Sequence, residues 1–195
     1  MEALKVANAN LVVRVHPSKS RKVTEAVLAE LSSLLFKFNE TFDGVVLAYD
    51  PNNWSSAARI LPGVHPYLNV GLSAKLLLFS PKPNMLIEGE VIKVCQQSIH
   101  LIVLGFSSAV IMEEDLRDEF KYKFKDGKEV FISQQQKKHR IENGAVLRFA
   151  VKSFDEEILH ISGSLEPAHT GNVQWLEKNL EKWSQVESSK GRRSD

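Results

Sequence analysis

The chain has 195 residues, 43% hydrophobic and 25% charged, with a formal net charge of +1. This fits one large or two small globular domains and excludes a polycation, so any nucleic-acid contact has to come from a local patch. The single cysteine, Cys95, excludes an internal disulfide and a cysteine-built zinc site, and without a signal-peptide core or an apolar run of roughly 18 to 20 residues a soluble intracellular protein is expected.

Residues 9 to 15 are rich in β-branched side chains and predict a strand, which His16-Pro17 ends. From Thr24 to Phe38 the apolar residues Val27, Leu28, Leu31, Leu34, Leu35 and Phe38 recur at helical spacing. Phe42 to Tyr49 predicts a second strand, and Asp50-Pro51-Asn52-Asn53 has the composition of a turn. Trp54 to Pro66, with two prolines and a glycine, predicts an exposed loop. Tyr67 to Phe79 then alternates Leu68, Val70, Leu72, Ala74, Leu76 and Leu78 on one side of the pleat, a long buried strand.

Ser80-Pro81-Lys82-Pro83-Asn84 is the best domain boundary, because two prolines in three residues stop a strand and stiffen a linker. Short consecutive strands follow. Met85 to Cys95 is the first, with Gly89 suggesting a bulge or barrel corner and Cys95 expected as a buried small hydrophobe. Ser98 to Leu104 and Phe106 to Met112 are the next two. A short acidic segment, an irregular connection and strands 145–154 and 158–165 complete the set, with an acidic turn at Asp155-Glu156-Glu157. The expected fold is an α+β domain (strand-helix-strand-strand) followed by an all-β OB-fold, a five-stranded Greek-key barrel. The corresponding boundaries are 1–80, 84–167 with a basic insertion at 119–143, and 168–195 as a C-terminal helix and polar tail.

The insertion carries Lys121, Lys123, Lys125, Lys128, Lys137, Lys138 and Arg140 against Asp126 and Glu129, with Tyr122, Phe124 and Phe131 interleaved. Such a segment can form a phosphate-contacting surface. It also fits a solvated hairpin turning at Asp126-Gly127, with Tyr122, Phe124 and Val130 inward. Glu113, Glu114, Asp115, Asp118 and Glu119 lack the spacing of a calcium loop and read as a solvated helix face. Six histidines are scattered without a zinc-binding spacing, and no nucleophile elbow, P-loop or dinucleotide fingerprint is present, so neither catalysis nor a metal or cofactor is expected. In the tail, Trp175, Leu176, Leu180 and Trp183 predict a helix that packs back on the barrel or binds a partner. The polar stretch Ser188 to Asp195 is expected to be disordered, with Lys190, Arg192 and Arg193 as part of a nuclear-import signal.

The run Phe79-Ser80-Pro81-Lys82-Pro83 through Gly89-Glu90-Val91 resembles the junction of eukaryotic and archaeal RNA polymerase stalk subunits, in which an N-terminal tip domain hands over to an OB-fold. Phe79, Pro81, Gly89 and Val91 occupy the marking positions. Gly44 to Tyr49 resembles the second tip strand. Ser80-Pro81-Lys82-Pro83, Gly105 to Ile111 and Ile161 to Leu165 resemble the RNA polymerase I members of that family. The resemblance spans roughly residues 8 to 165.

It implies a nuclear, nucleolar, non-catalytic chain with four kinds of partner: RNA polymerase core subunits, a smaller stalk subunit, the RNA polymerase I initiation factor, and single-stranded RNA. Under this reading the loops at His16-Pro17 and His65-Pro66, with Arg59 and Gly63, present the surface that docks to the core. One departure stands out: only His100 and Phe106 on the second and third barrel strands could stack a base. Base stacking is worth about 1–3 kcal/mol each, so weak, sequence-indifferent RNA binding is expected. Charge reversal of Lys121, Lys123 and Lys125 should weaken it without unfolding the barrel. The equivalent subunit of RNA polymerase III and a free-standing OB-fold RNA-binding protein are the alternative readings.

Overall fold

A computed structural model of the chain describes residues 2–54, 59–60, 67–125 and 127–179, with backbone alone at 53, 54, 59, 60 and 125. The chain divides into two compact units, Leu4–Ser80 and Met1–Ala3 with Pro81–Asp195.

The first unit contains β1 (Leu4–Val15), a 3-10 turn (Pro17–Lys22), α1 (Val23–Ser32), β2 (Phe38–Asn39), β3 (Gly44–Trp54), β4 (Arg59–Ile60) and β5 (Leu68–Phe79). Its antiparallel sheet runs β1-β5-β3-β2, with β4 also on β5. On β5 the predicted alternation places Val70, Leu72, Ala74, Leu76 and Leu78 in the core, where Ala26, Val27 and Leu31 of α1 meet them. Burying each of the larger side chains contributes about 1.5–3 kcal/mol. Tyr49 of β3 pins the helix, its hydroxyl lying 2.8 Å from Ser32 Oγ and 3.4 Å from the Leu28 carbonyl. Val6 and Val12 lie on the open face of the sheet, 69% and 68% exposed.

Three expectations fail in this unit. The helix ends at Ser32 rather than Phe38. Ser33 Oγ donates to the Glu30 carbonyl at 2.6 Å, a side-chain bond that competes with helix continuation. Phe36 turns to φ 55°, and Leu35 forms a parallel bridge with Val46, so the apolar spacing continues into the sheet. Asp50 to Asn53 is not a turn but part of β3, with a register shift between Pro51 and Trp54; proline is tolerated in a strand at such an irregularity. Within the expected loop, Arg59–Ile60 pairs with Asn69 and Leu68.

In the second unit β6 (Leu86–Cys95), β7 (Ser98–Val103), β8 (Ser107–Met112), β12 (Val146–Asp155) and β13 (His160–Ser164) form the barrel. Between its third and fourth strands lies a separate sheet of β9 (Phe120–Lys125), β10 (Lys128–Ser133) and β11 (Arg140–Ile141). The barrel order is β6-β7-β8-β13-β12, closed by β12 on β6. Only β8 and β13 run parallel, and all other neighbours are antiparallel. That connectivity is the OB-fold. Ile87, Val91, Ile99, Leu101, Ile111, Leu147, Phe149 and Ile161 fill the interior. β14 (Gly171–Asn172) adds to β12, and residues 173–179 form α2. Among the described residues no helix is long and apolar enough to cross a membrane.

The bulge of β6 falls at Ile92, between Val91 and Lys93, not at Gly89. Gly89 is needed for crowding instead: a Cβ there would lie 3.1 Å from the Ile102 carbonyl oxygen. Cys95 is half-buried at the hairpin end rather than a core residue, since Val94 takes the inward position. The acidic run is not a solvated helix face either. Glu113–Asp115 is a single 3-10 turn in which buried Asp115 accepts from Lys152 Nζ at 2.6 Å. Glu119 is held by Arg117 and Ser133.

Candidate nucleic-acid interface

The hairpin β9–β10 pairs Lys123 with Val130, Lys121 with Ile132 and Lys125 with Lys128. Directly paired residues share a face, so the lysines lie with Val130 and Ile132, while Phe120, Tyr122 and Phe124 lie with Ser133, Phe131 and Glu129. The predicted grouping of Val130 with Tyr122 and Phe124 is therefore wrong by one residue of register. Phe131 and Phe120 are buried, and Tyr122 meets Phe131 edge-on at 5.7 Å. Phe124 is not inward but 70% exposed, because its cross-strand neighbour next to the turn is Glu129, which does not cover it.

Residues from both faces of the hairpin, the segment after it and the end of β6 line a cleft of about 1230 Å³. Its cations are Lys123 and Lys128 from the hairpin, Lys137 and Arg140 from the segment after it, and Lys93 from the barrel. Val94, Val130 and Ile132 are its apolar lining, and Phe124 stands on it as an exposed aromatic. Both acidic side chains on the lining are engaged: Glu129 accepts from the Tyr122 hydroxyl at 2.8 Å, and Glu142 pairs with Arg140 at 3.1 Å. The bond to Glu129 raises the Tyr122 pKa. The arrangement suits a polyanion that brings phosphates to several directions of positive charge.

Of the predicted nucleic-acid residues, the structure gathers Lys123, Lys128, Lys137 and Arg140 into this cleft. Lys121 and Lys138 are exposed but off its lining, and the Lys125 side chain lies outside the described residues. His100 is on the outer face of β7, paired across strands with Lys93 and 3.1 Å from Ser98 Oγ. Phe106 is half-buried in the turn at the other end of β7. Sequence reasoning missed Lys93 and Phe124. Lys93 is distant in sequence from the basic segment, and the alternation around Phe124 gave no sign that its neighbour would leave it open.

A second constellation holds the C-terminal segment. Arg117 donates to Glu119 at 2.7 Å, to the Leu165 and Pro167 carbonyls at 2.8 and 3.0 Å, and to Thr170 Oγ1 and its carbonyl at 2.8 and 3.1 Å. Burial raises the Glu119 pKa, but the hydrogen bonds from Ser133 and Arg117 outweigh it and lower the pKa overall. His139, 1% exposed, stacks on Trp175 with centroids 3.9 Å apart and meets Phe120 edge-on at 4.9 Å. The Asn172 backbone N–H donates to its Nε2 at 3.1 Å, which places the ring proton on Nδ1. Burial, with help from Arg117, depresses the His139 pKa to about 4 against the opposing pull of Glu119. Leu176 is 3% exposed. Trp175 and Leu176, expected either to pack back on the barrel or to bind a partner, are engaged within the unit; Leu180, Trp183 and the polar tail lie outside the described residues.

Among the predicted core-docking residues, His16 caps the 3-10 turn. Its Nδ1 accepts from the Ser18 backbone N–H at 3.2 Å and lies 2.8 Å from Ser18 Oγ, and its ring meets Tyr67 edge-on at 5.7 Å. Pro17 starts that turn. Arg59 has a described backbone only, and Gly63, His65 and Pro66 lie outside the described residues. No group of three metal-ligating side chains gathers among the described residues.

No protein-family model matches the chain. It is 26% identical over 172 residues, 87% of its length, to a Dictyostelium discoideum protein named probable DNA-directed RNA polymerase I subunit RPA43. It is 25% identical over 107 residues, 55% of its length, to the DNA-directed RNA polymerase I subunit rpa43 of Schizosaccharomyces pombe. The matched stretches are 47% and 62% of those two proteins, so the chain spans about half the length of the curated relatives it matches. A solved structure, assigned but not established as an exosome complex RNA-binding protein, is 12% identical, covers 49% of each chain and has a TM-score of 0.32, too loose a likeness to carry an argument. Both of these proteins are named as RNA polymerase I subunits, one of them as a probable one, and by sequence this chain is similar to both.

Proposed function

We propose that the chain is a non-catalytic stalk subunit of DNA-directed RNA polymerase I, acting in ribosomal RNA gene transcription in the nucleus and nucleolus. The observation that carries this reading is the similarity to RPA43 of Dictyostelium discoideum over 87% of the chain. A closed OB barrel joined to a separate α+β unit supports it. In this role the chain works by being held in place. Leu4–Ser80 anchors on the polymerase core, with the open sheet face around Val6 and Val12 and the His16-Pro17 corner as the surface offered. The chain pairs with a smaller stalk subunit, and the barrel unit meets the initiation factor and nascent RNA.

Affinity purification of the tagged chain from nuclear extract tests the assignment. Recovery of the large catalytic subunits of RNA polymerase I is the expected result. Recovery of the RNA polymerase III subunits instead, or of ribosomal or splicing components without any polymerase, would overturn it.

A further inference from the structure

The barrel's standard nucleic-acid surface is the outer face of its second and third strands with the adjoining loops. Here that face carries His100, Ile102, Ser108 and Val110, and the loop between the last two strands carries Asp155, Glu156 and Glu157. An acidic loop repels phosphate, and the one aromatic ring of the face, His100, is half-buried and lies 3.1 Å from Ser98 Oγ. The features that a single strand requires, a cationic groove and an exposed aromatic ring, occur together elsewhere, in the cleft between β6 and the β9–β10 hairpin.

We infer that this cleft, and not the β7–β8 face, holds unpaired RNA: Lys93, Lys123, Lys128 and Arg140 contact the phosphates, and Phe124 stacks one base. The inference rests on the proposed stalk function only for its choice of RNA. Its geometry is independent of that reading. Two observations set the ligand class. The cations come from both walls, so a flexible backbone entering the cleft is neutralised from two sides. Phe124 is the strongly exposed aromatic on the lining, at 70%, and a base can reach its ring only when it is not already stacked in a duplex. Phe124 is the single aromatic on the lining, and the exposed amides of Gln134 and Asn143 are the lining groups able to touch base edges, so sequence preference is expected to be modest.

The test is fluorescence anisotropy of the full chain with labelled oligouridylate and with an RNA duplex of equal length, over a range of salt concentrations. Single-stranded RNA is expected to bind more tightly than the duplex. Phe124→Ala should weaken it about 5- to 150-fold, the worth of one base stack. Lys93→Gln and Lys128→Gln should each lower the slope of log K against log salt by about 0.7. Phe124, Lys93 and Lys128 are exposed, so these variants should keep the parent's melting temperature. Phe106→Leu, which removes a ring at the other end of β7 but keeps apolar volume, should bind as the parent does. Loss of binding in Phe106→Leu with no loss in Phe124→Ala would overturn the inference and return RNA to the barrel face. Equal affinity for duplex and single strand, or no RNA binding at low salt, would overturn it too. Neither outcome bears on which polymerase the chain co-purifies with.

Discussion

His139 is a buried imidazole whose neutral form is built into the structure, since Nε2 accepts a backbone hydrogen bond, Trp175 stacks on the ring and Phe120 meets it edge-on. Its pKa is about 4 in the fold against an ordinary 6.5. Between those values the unfolded chain binds the proton and the folded chain does not, so stability falls as pH drops through this window. The expected loss reaches roughly 3 kcal/mol at one pKa unit per ~1.4 kcal/mol. Denaturant titrations at pH 7 and pH 4.5 should show it, and His139→Gln should flatten the difference; a pH slope unchanged in that variant would refute the assignment. Gly171 is coupled to the same ring. It sits at φ 125°, and a Cβ there would come 2.3 Å from His139 Nε2. Arg117 has the broadest set of partners in this region. Arg117→Met leaves Glu119 and three carbonyls short of a donor, and should lower stability by about 2 kcal/mol or more, read as a fall in melting temperature.

At the scale of elements, the barrel depends on close approach at one crossing. A Cβ on Gly163 of β13 would lie 2.4 Å from the ring of Phe149 on β12, which is fully buried. Gly163→Ala therefore forces a backbone or ring displacement and should cost about 1–3 kcal/mol, measurable by thermal unfolding. The β7–β8 hairpin offers the opposite test. Leu104 and Gly105 both have positive φ, 51° and 77°, and the Phe106 N–H donates to the Val103 carbonyl at 3.2 Å, the pattern of a two-residue turn that favours Asn-Gly. Leu104→Asn should relieve strain and raise stability by about 0.5–1 kcal/mol; a fall in stability would show that the leucine packs more than its 44% exposure suggests.

How far these elements could be read from the sequence depended on the range of the interaction that fixes them. β5 was legible because its alternation is local and its core face is continuous. The order of the barrel strands was legible because each is bounded by its own turn. The end of α1 was not, since Leu34, Leu35 and Phe38 keep helical spacing while a sheet bridge to Val46 takes the backbone. The basic segment was visible as a patch, but its concavity needs Lys93, which only the folded barrel brings near. The stack of His139 on Trp175 joins residues 36 positions apart (175 against 139) with no shared motif.

For the whole molecule, the division at Ser80–Pro81 has a counterpart at the other end of the first unit, where Glu2 and Ala3 belong with the barrel and the Leu86 N–H donates to Glu2 Oε2 at 3.0 Å. The first unit begins at Leu4 and its last strand ends at Phe79, and these two residues are direct partners across β1 and β5. Antiparallel partners have Cα atoms only about 5 Å apart. The α+β unit therefore has its first and last residues side by side on neighbouring strands. Excising Leu4–Phe79 and bridging Ala3 to Ser80 with a two-residue linker should leave a chain that still melts cooperatively and binds oligouridylate as before; non-cooperative melting would show that the barrel needs the insert to fold. The same layout makes the first unit a portable graft, transferable to any host loop whose two stems stand one strand spacing apart.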